Sequence, residues 1–194
     1  MKTKIIIISL ISCLCVMSCR PKFINVNVQE YVDTLKLYYP YSVGEKFIFM
    51  NDELGLTWEA KACDERGSFP HTTMDYPEKD IRSKSYNVWG AYINADIVEK
   101  DLTPDNKNRN HIRTDIEGNG TKAYVVWFVK ILIYNEELAT SKGFMCDYNE
   151  VFSLLTDTIL LPASSPEGSY ARIVKYQGLT DFSVDGKTVW KRVK

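Results

Sequence analysis

The stretch "TKAYVVWFVKILIYN", Thr121 to Asn135, decides the fold. Its apolar part runs for about eleven residues, well short of the roughly twenty that a bilayer-spanning helix needs. It is rich in the β-branched and aromatic side chains that suit a pleated surface. The stretch therefore reads as a strand, and because both its faces are apolar it is expected inside a sheet rather than on an edge. Gly118-Asn119-Gly120, just upstream, meets the positive-φ demands of a turn. "HIRTDIE", His111 to Glu117, supplies the other arm of the hairpin.

Working outward, period-two alternation recurs. In "INVNV" Ile24, Val26 and Val28 share one face. "EKFIFMND" and "LTWEAKAC" flank a turn containing Gly55, and Leu56, Trp58, Ala60 and Ala62 point one way on the second arm. "YNVWGAYINADIV" puts Trp89, Ala91, Ile93, Ala95 and Ile97 on one side. "YARIVKYQ", "LTDFSV" and "KTVWKRVK" close the chain as three strands, the last two joined at Asp185-Gly186, a strong hairpin signal. Residues 64–84, with two prolines, read as a long loop. The single helix expected is "DYNEVFSLLTD", with Asp147 as cap and Glu150 reaching back. These elements predict an all-β domain with one short helix. An antiparallel barrel and an antiparallel β-sandwich both fit; sequential hairpins and a near-terminal helix resemble the lipocalin-like barrel, which is preferred.

The first eighteen residues are different in kind. Lys2 and Lys4 precede the uncharged run "IIIISLISCLCVMS", the dimensions of a secretory leader. Val16-Met17-Ser18-Cys19 resembles the lipobox of bacterial lipoproteins, in which the leader is cut before a cysteine that carries diacylglycerol. Leu10-Ile11-Ser12-Cys13 is a rival match, but cutting there would leave about eight apolar residues in the leader and strand Leu14 to Met17 on the mature chain. The expected organisation is a signal peptide over 1–18, the acylated Cys19 with a short tether over 19–23, and a single β-rich domain over 24–194. Two or more acyl chains make a firm anchor, whereas one holds only marginally.

Without the leader, 176 of the 194 residues remain, and the net charge of −1 becomes about −3 as Lys2 and Lys4 leave. No half of the chain is strongly basic, so no nucleic-acid footprint is present. Twelve tyrosines raise the aromatic content, which fits half-buried sheet faces better than a sugar-stacking platform. Of five cysteines, Cys13 and Cys15 leave and Cys19 takes lipid. Cys63 and Cys146 remain as a candidate disulfide in a compartment that permits one. Such a bond would close about 80 residues and contribute around 4 kcal/mol in the chain-entropy model. Cys63 falls on the polar face of its strand, which counts against a disulfide through the core and favours two unpaired thiols.

No motif nominates a reaction. There is no G-x-S-x-G, H-E-x-x-H or G-x-x-x-x-G-K. His71 and His111, the only histidines, sit in polar surroundings as surface residues. The segment Asn106 to Glu117 mimics EF-hand spacing, but Asn106 and His111 stand where Asp and Gly belong, and Lys107, Arg109 and Arg113 repel a cation. No metal or cofactor is expected, nor a catalytic residue.

Two further places resemble a known set. Tyr39-Pro40 followed by Gly44-Glu45-Lys46-Phe47 is similar to the opening of small uncharacterised envelope lipoproteins of Bacteroides-type bacteria. Gly178, Phe182, Asp185-Gly186 and Trp190 are similar to their closing hairpin. The resemblance covers both ends but not residues 64–120, and implies a β-sandwich or lipocalin-like fold with no catalytic residue. Members bound for the cell surface usually carry acidic residues after the cysteine. Here Arg20-Pro21-Lys22 is basic and the first acid is Glu30, so the expected place is the outer membrane, facing the periplasm. The expected role is a non-enzymatic binding or interaction module, its partners the membrane and either a small apolar ligand or an envelope protein. Trp58, Trp89 and Trp127 would line a cavity for such a ligand or, the preferred reading, fill the interior as a packed core. A structural accessory of an outer-membrane complex is the alternative, and an envelope hydrolase the weakest reading.

Overall fold

A computed structural model describes residues 28–42, 44–62, 71–79, 87–99, 110–119 and 122–193. Helix α1 (Val28–Lys36) leads into strands β1 (Lys46–Asn51), β2 (Leu56–Ala62), β3 (His71–Lys79), β4 (Asn87–Glu99), β5 (Asn110–Asn119), β6 (Lys122–Ile133) and β7 (Glu136–Asp147). A 3-10 turn at Tyr148–Glu150 runs into α2 (Val151–Leu154), followed by β8 (Thr158–Pro162), β9 (Tyr170–Val174), β10 (Gly178–Ser183) and β11 (Trp190–Arg192). All strand pairs are antiparallel. The strands form one sheet in the order β7-β6-β5-β4-β2-β1-β11-β10-β9-β8, with β3 beside β4. One sheet curling into a nearly closed barrel, rather than two stacked sheets, settles the choice left open by the sequence.

Alternation explains the curl. Along β6, Ala123, Val125, Trp127, Val129, Ile131 and Ile133 are buried, while the residues between them are half-buried or exposed. Ile93, Ala95 and Ile97 of β4 and Ile112, Thr114 and Ile116 of β5 line the same interior. The ends of the sheet, β7 and β8, meet through a side chain: Thr140 Oγ1 donates to Pro162 O at 2.7 Å.

Several expectations change. Ile24 to Asn27 lie outside the described residues, and Val28 opens a helix instead of ending a strand. In α1 the buried Tyr31, Val32 and Leu35 share one face, with Gln29, Glu30, Asp33 and Lys36 outward. That helical spacing outweighs the alternation before it. The expected loop over 64–84 contains β3. Its Pro77 is tolerated because β3 pairs only with β4 and its register slips between Asp75 and Glu78. Strands β7 and β8 were not legible. Gly118 and Asn119 belong to β5, paired with Ala123 and Lys122, so the reversal comes later than expected. The β6–β7 reversal is Tyr134-Asn135, both at positive φ, 48° and 67°. The expected helix after Asp147 is short, with Glu150 Oε2 accepting the Asp147 N–H at 3.2 Å.

The barrel is filled from its own N-terminus. Tyr31, Leu35, Tyr38, Tyr39 and Tyr41 are buried in the same core as the strands. Tyr39 and Thr114 are joined through their hydroxyls at 2.5 Å. Tyr38 donates to Thr156 O at 2.8 Å, and the Leu179 N–H donates to the Tyr41 hydroxyl at 2.6 Å. Gly178 makes room for that last contact: its φ is +75°, and a Cβ there would strike the Tyr41 hydroxyl. At the Asp185-Gly186 turn, Asp185 accepts from the N–H groups of Lys187 and Thr188, both at 2.9 Å. A Cβ on Gly186 would meet Glu167 O.

These contacts make the Tyr41 anchorage testable by urea unfolding. Gly178→Ala is expected to lower stability by at least about 2 kcal/mol, through backbone strain and collision with Tyr41. Tyr41→Phe, which removes the acceptor of a buried N–H, is expected to cost about 1–3 kcal/mol.

Candidate functional site

The tryptophans proposed as cavity lining are core residues where they are described. Trp58 is packed against Phe49 and Phe182, with ring centroids 5.6 Å and 6.1 Å away. Trp127 meets Tyr38 edge-on at 5.0 Å and stacks on Tyr39 at 6.4 Å. The side chain of Trp89 lies outside the described residues, as do Cys19 and Cys63. Cys146 is a buried thiol near the end of β7, pushed up in pKa by burial first and then by the charges of Glu150 and Asp147. His111 is half-buried on β5 opposite Lys130. Among the described residues, no three His, Cys, Asp or Glu side chains gather to hold a metal.

An open cleft of about 460 Å³ lies where the Tyr-Pro segment meets the C-terminal strands, lined by Pro40, Glu45, Tyr176, Gln177, Thr180 and Arg192 with Val193. Arg192 is its fixed centre. Nη1 donates to Gln177 O at 2.7 Å, Nη2 pairs with Glu45 Oε1 at 3.3 Å, and the guanidinium lies 4.6 Å from the Phe47 ring centroid. Glu45 is itself held, accepting the Ser42 N–H at 2.9 Å. The turn after β9 pushes Tyr176 outward: its φ is +65°, its N–H donates to Leu37 O, and the residue is 67% exposed. A non-glycine residue in the left-handed region carries a conformational cost, so the surrounding contacts must hold it there.

A second cleft of about 330 Å³ lies over β8 and β9, lined mainly by Leu160, Pro162, Ala163, Tyr170 and Arg172. Beside it the nearly buried Asp181 accepts from the Tyr170 and Thr180 hydroxyls, each at 2.9 Å, and pairs with Arg172 at 3.2 Å. Among the described residues, neither cleft pairs a nucleophile with a base. Each has a guanidinium already committed to a carboxylate, Glu45 in the lining of the first and Asp181 beside the second, with aromatic and aliphatic walls, which suits recognition.

Sequence reasoning missed both clefts. Glu45 and Arg192 are 147 positions apart, and nothing local pairs them. The tyrosines carried a signal that was misread: among the described residues, Tyr31, Tyr38, Tyr39 and Tyr41 fill the barrel rather than decorate strands.

Those buried phenols set an alkaline limit. Burial pushes Tyr31, Tyr38 and Tyr41 from 10.0 up to about 12; the charge of Glu30 adds to the rise at Tyr31 and that of Asp157 at Tyr38, while the Leu179 N–H opposes it at Tyr41. Burial also raises Tyr39, against its bond to Thr114. Each holds its proton more tightly folded than unfolded, so their contribution is complete below pH 10 and is lost as the pH climbs toward 12. Circular dichroism across that window should show cooperative unfolding, with a shallower pH dependence in Tyr38→Phe.

No family model matches this chain, and neither a curated protein nor a solved structure shows significant similarity to it.

Proposed function

We propose that the chain is a lipid-anchored cell-envelope protein whose β-barrel serves as a non-enzymatic interaction module, working through its outer surface. The observation that carries this reading is the filling of the barrel by α1 and the tyrosine segment, which leaves the described clefts on the outside. The anchor follows from the lipobox-like Val16-Met17-Ser18-Cys19, and the outer membrane facing the periplasm from the basic Arg20-Pro21-Lys22. The cleft around Arg192 is the preferred contact surface. Its exposed Tyr176 ring and tethered guanidinium are the residue types enriched at binding hot spots. A structural role beside an outer-membrane complex falls within the same reading.

One observation favours a second reading, a small ligand held inside. The indole N–H groups of Trp58 and Trp127, and the amide nitrogens of Asn51 and Asn110, are buried without an acceptor among the described residues. Buried donors of this kind are costly unless paired, and an internal ligand with oxygen acceptors would pair them.

Native mass spectrometry of protein extracted from its own envelope separates the two. A companion protein whose retention falls at least about tenfold in Tyr176→Ala, or about 1.4 kcal/mol, supports the exterior module. A bound small molecule unaffected by Tyr176→Ala supports the interior one. Cys19→Ser is expected to lose the lipid mass and to leave the detergent phase; a variant that matures and partitions unchanged would refute the anchor.

A further inference from the structure

The barrel has two ends with exposed apolar side chains, and they differ in where the N-terminal tether enters. At one end, past the β1–β2 and β6–β7 reversals, stand Met50, Leu54, Leu56 and Tyr134, where Tyr134 donates to Thr57 O. At the other, β7 ends and α2 begins. There Met145 is 72% exposed, Tyr124 48%, Leu154 42% and Phe152 37%. Tyr124 and Met145 are cross-strand partners, and one step toward the rim Lys122 pairs with Asp147 at 2.8 Å.

The first turn of α1 is fixed to this second end. The Tyr31 ring stacks on Phe152, centroids 4.7 Å apart and planes 11° from parallel, and its hydroxyl donates to Tyr148 O at 2.8 Å. Only nine positions separate Cys19 from Val28, where α1 begins. Fully extended, they span about 30 Å. An anchor at Cys19 thus holds the β7–α2 corner within one domain's width of the lipid.

The geometry points to the β7–α2 corner as a membrane-resting face, with Phe152, Leu154, Tyr124 and Met145 seated in the bilayer interface. The occupant is a lipid surface. Aromatic rings favour the headgroup level, and a lysine at the rim can extend toward the headgroups while its stem stays in apolar surroundings. The charges at the rim include Asp147 and Glu150 besides Lys122, so contact relies on apolar burial rather than on anionic lipid. Four exposed side chains would not hold a protein on a membrane alone; next to an acyl anchor they orient it. The Leu54 end then points away from the bilayer. This inference rests on the anchoring at Cys19 proposed above.

The test uses the mature lipidated protein in vesicles of phosphatidylethanolamine and phosphatidylcholine, the latter brominated at shallow acyl carbons. Phe152→Trp and, in case that change disturbs the Tyr31 stack, Met145→Trp are compared with Leu54→Trp. Added emission from the first two is expected to fall by about half on bromination, consistent with side chains about 5–10 Å into the interface, while that of Leu54→Trp holds. Equal quenching at both ends, or quenching at Leu54→Trp alone, overturns the inference. Unquenched tryptophans at positions 152 and 145 in protein that floats with the vesicles overturn it too, and leave the corner to a protein partner. Protein that fails to float overturns the anchor and this inference together.

Discussion

Tyr41 is where the two ends of the chain are tied. Its hydroxyl receives the Leu179 N–H at 2.6 Å, its ring meets Phe47 edge-on at 5.3 Å, and Gly178 clears the space in which it lies. Around that point Tyr38 and Tyr39 lean on Trp127, and Phe182 bridges Phe49 and Trp190. A curled sheet whose interior-facing residues include alanines at 60, 62, 95 and 123 needs additional bulk to exclude water. The tyrosine segment supplies that bulk. Its phenols also carry polar oxygens into the interior, and those of Tyr38, Tyr39 and Tyr41 meet Thr156, Thr114 and Leu179. This interlock leaves the described clefts on the outside.

The outer surface is ordered by the same junction. Arg192 of β11 and Glu45, the residue just before β1, hold the larger cleft beside the β1–β11 pairing. Such half-exposed ion pairs contribute little stability by themselves. Their effect is positional: Arg192 is fixed by Glu45, Gln177 O and the Phe47 ring together. At the Asp185 turn, partial burial opposes the charge, yet the hydrogen bonds from Lys187, Thr188 and Ser183 hold that carboxyl down to about 2.

The strands with clean alternation were legible in the sequence, and those without it were not. In β6 every second residue faces inward over a long run, and Ile93, Ala95 and Ile97 of β4 and Trp58, Ala60 and Ala62 of β2 do the same over shorter ones. Strand β7, by contrast, has only Leu138, Thr140 and Cys146 buried among twelve residues, and Lys142, on their own face, is exposed like Gly143 and Met145. No periodicity could have isolated it. Strand β3 was hidden by Pro77, which reads as a break unless the strand is known to have one free side. Helix α1 was obscured by the alternating Ile24, Val26 and Val28 that run into it. The candidate clefts were invisible for a different reason: each arises from residues brought together by strand order, and local sequence carries no record of that order.

The join between Tyr41 and Leu179 spans 138 positions. Closing so long a loop is slow, because its entropy must be lost before any native contact compensates. The earliest tyrosines to leave the ribosome must therefore wait, unsatisfied, for almost the last strands to be made. Until then, the nascent chain exposes aromatic surface that its finished form conceals.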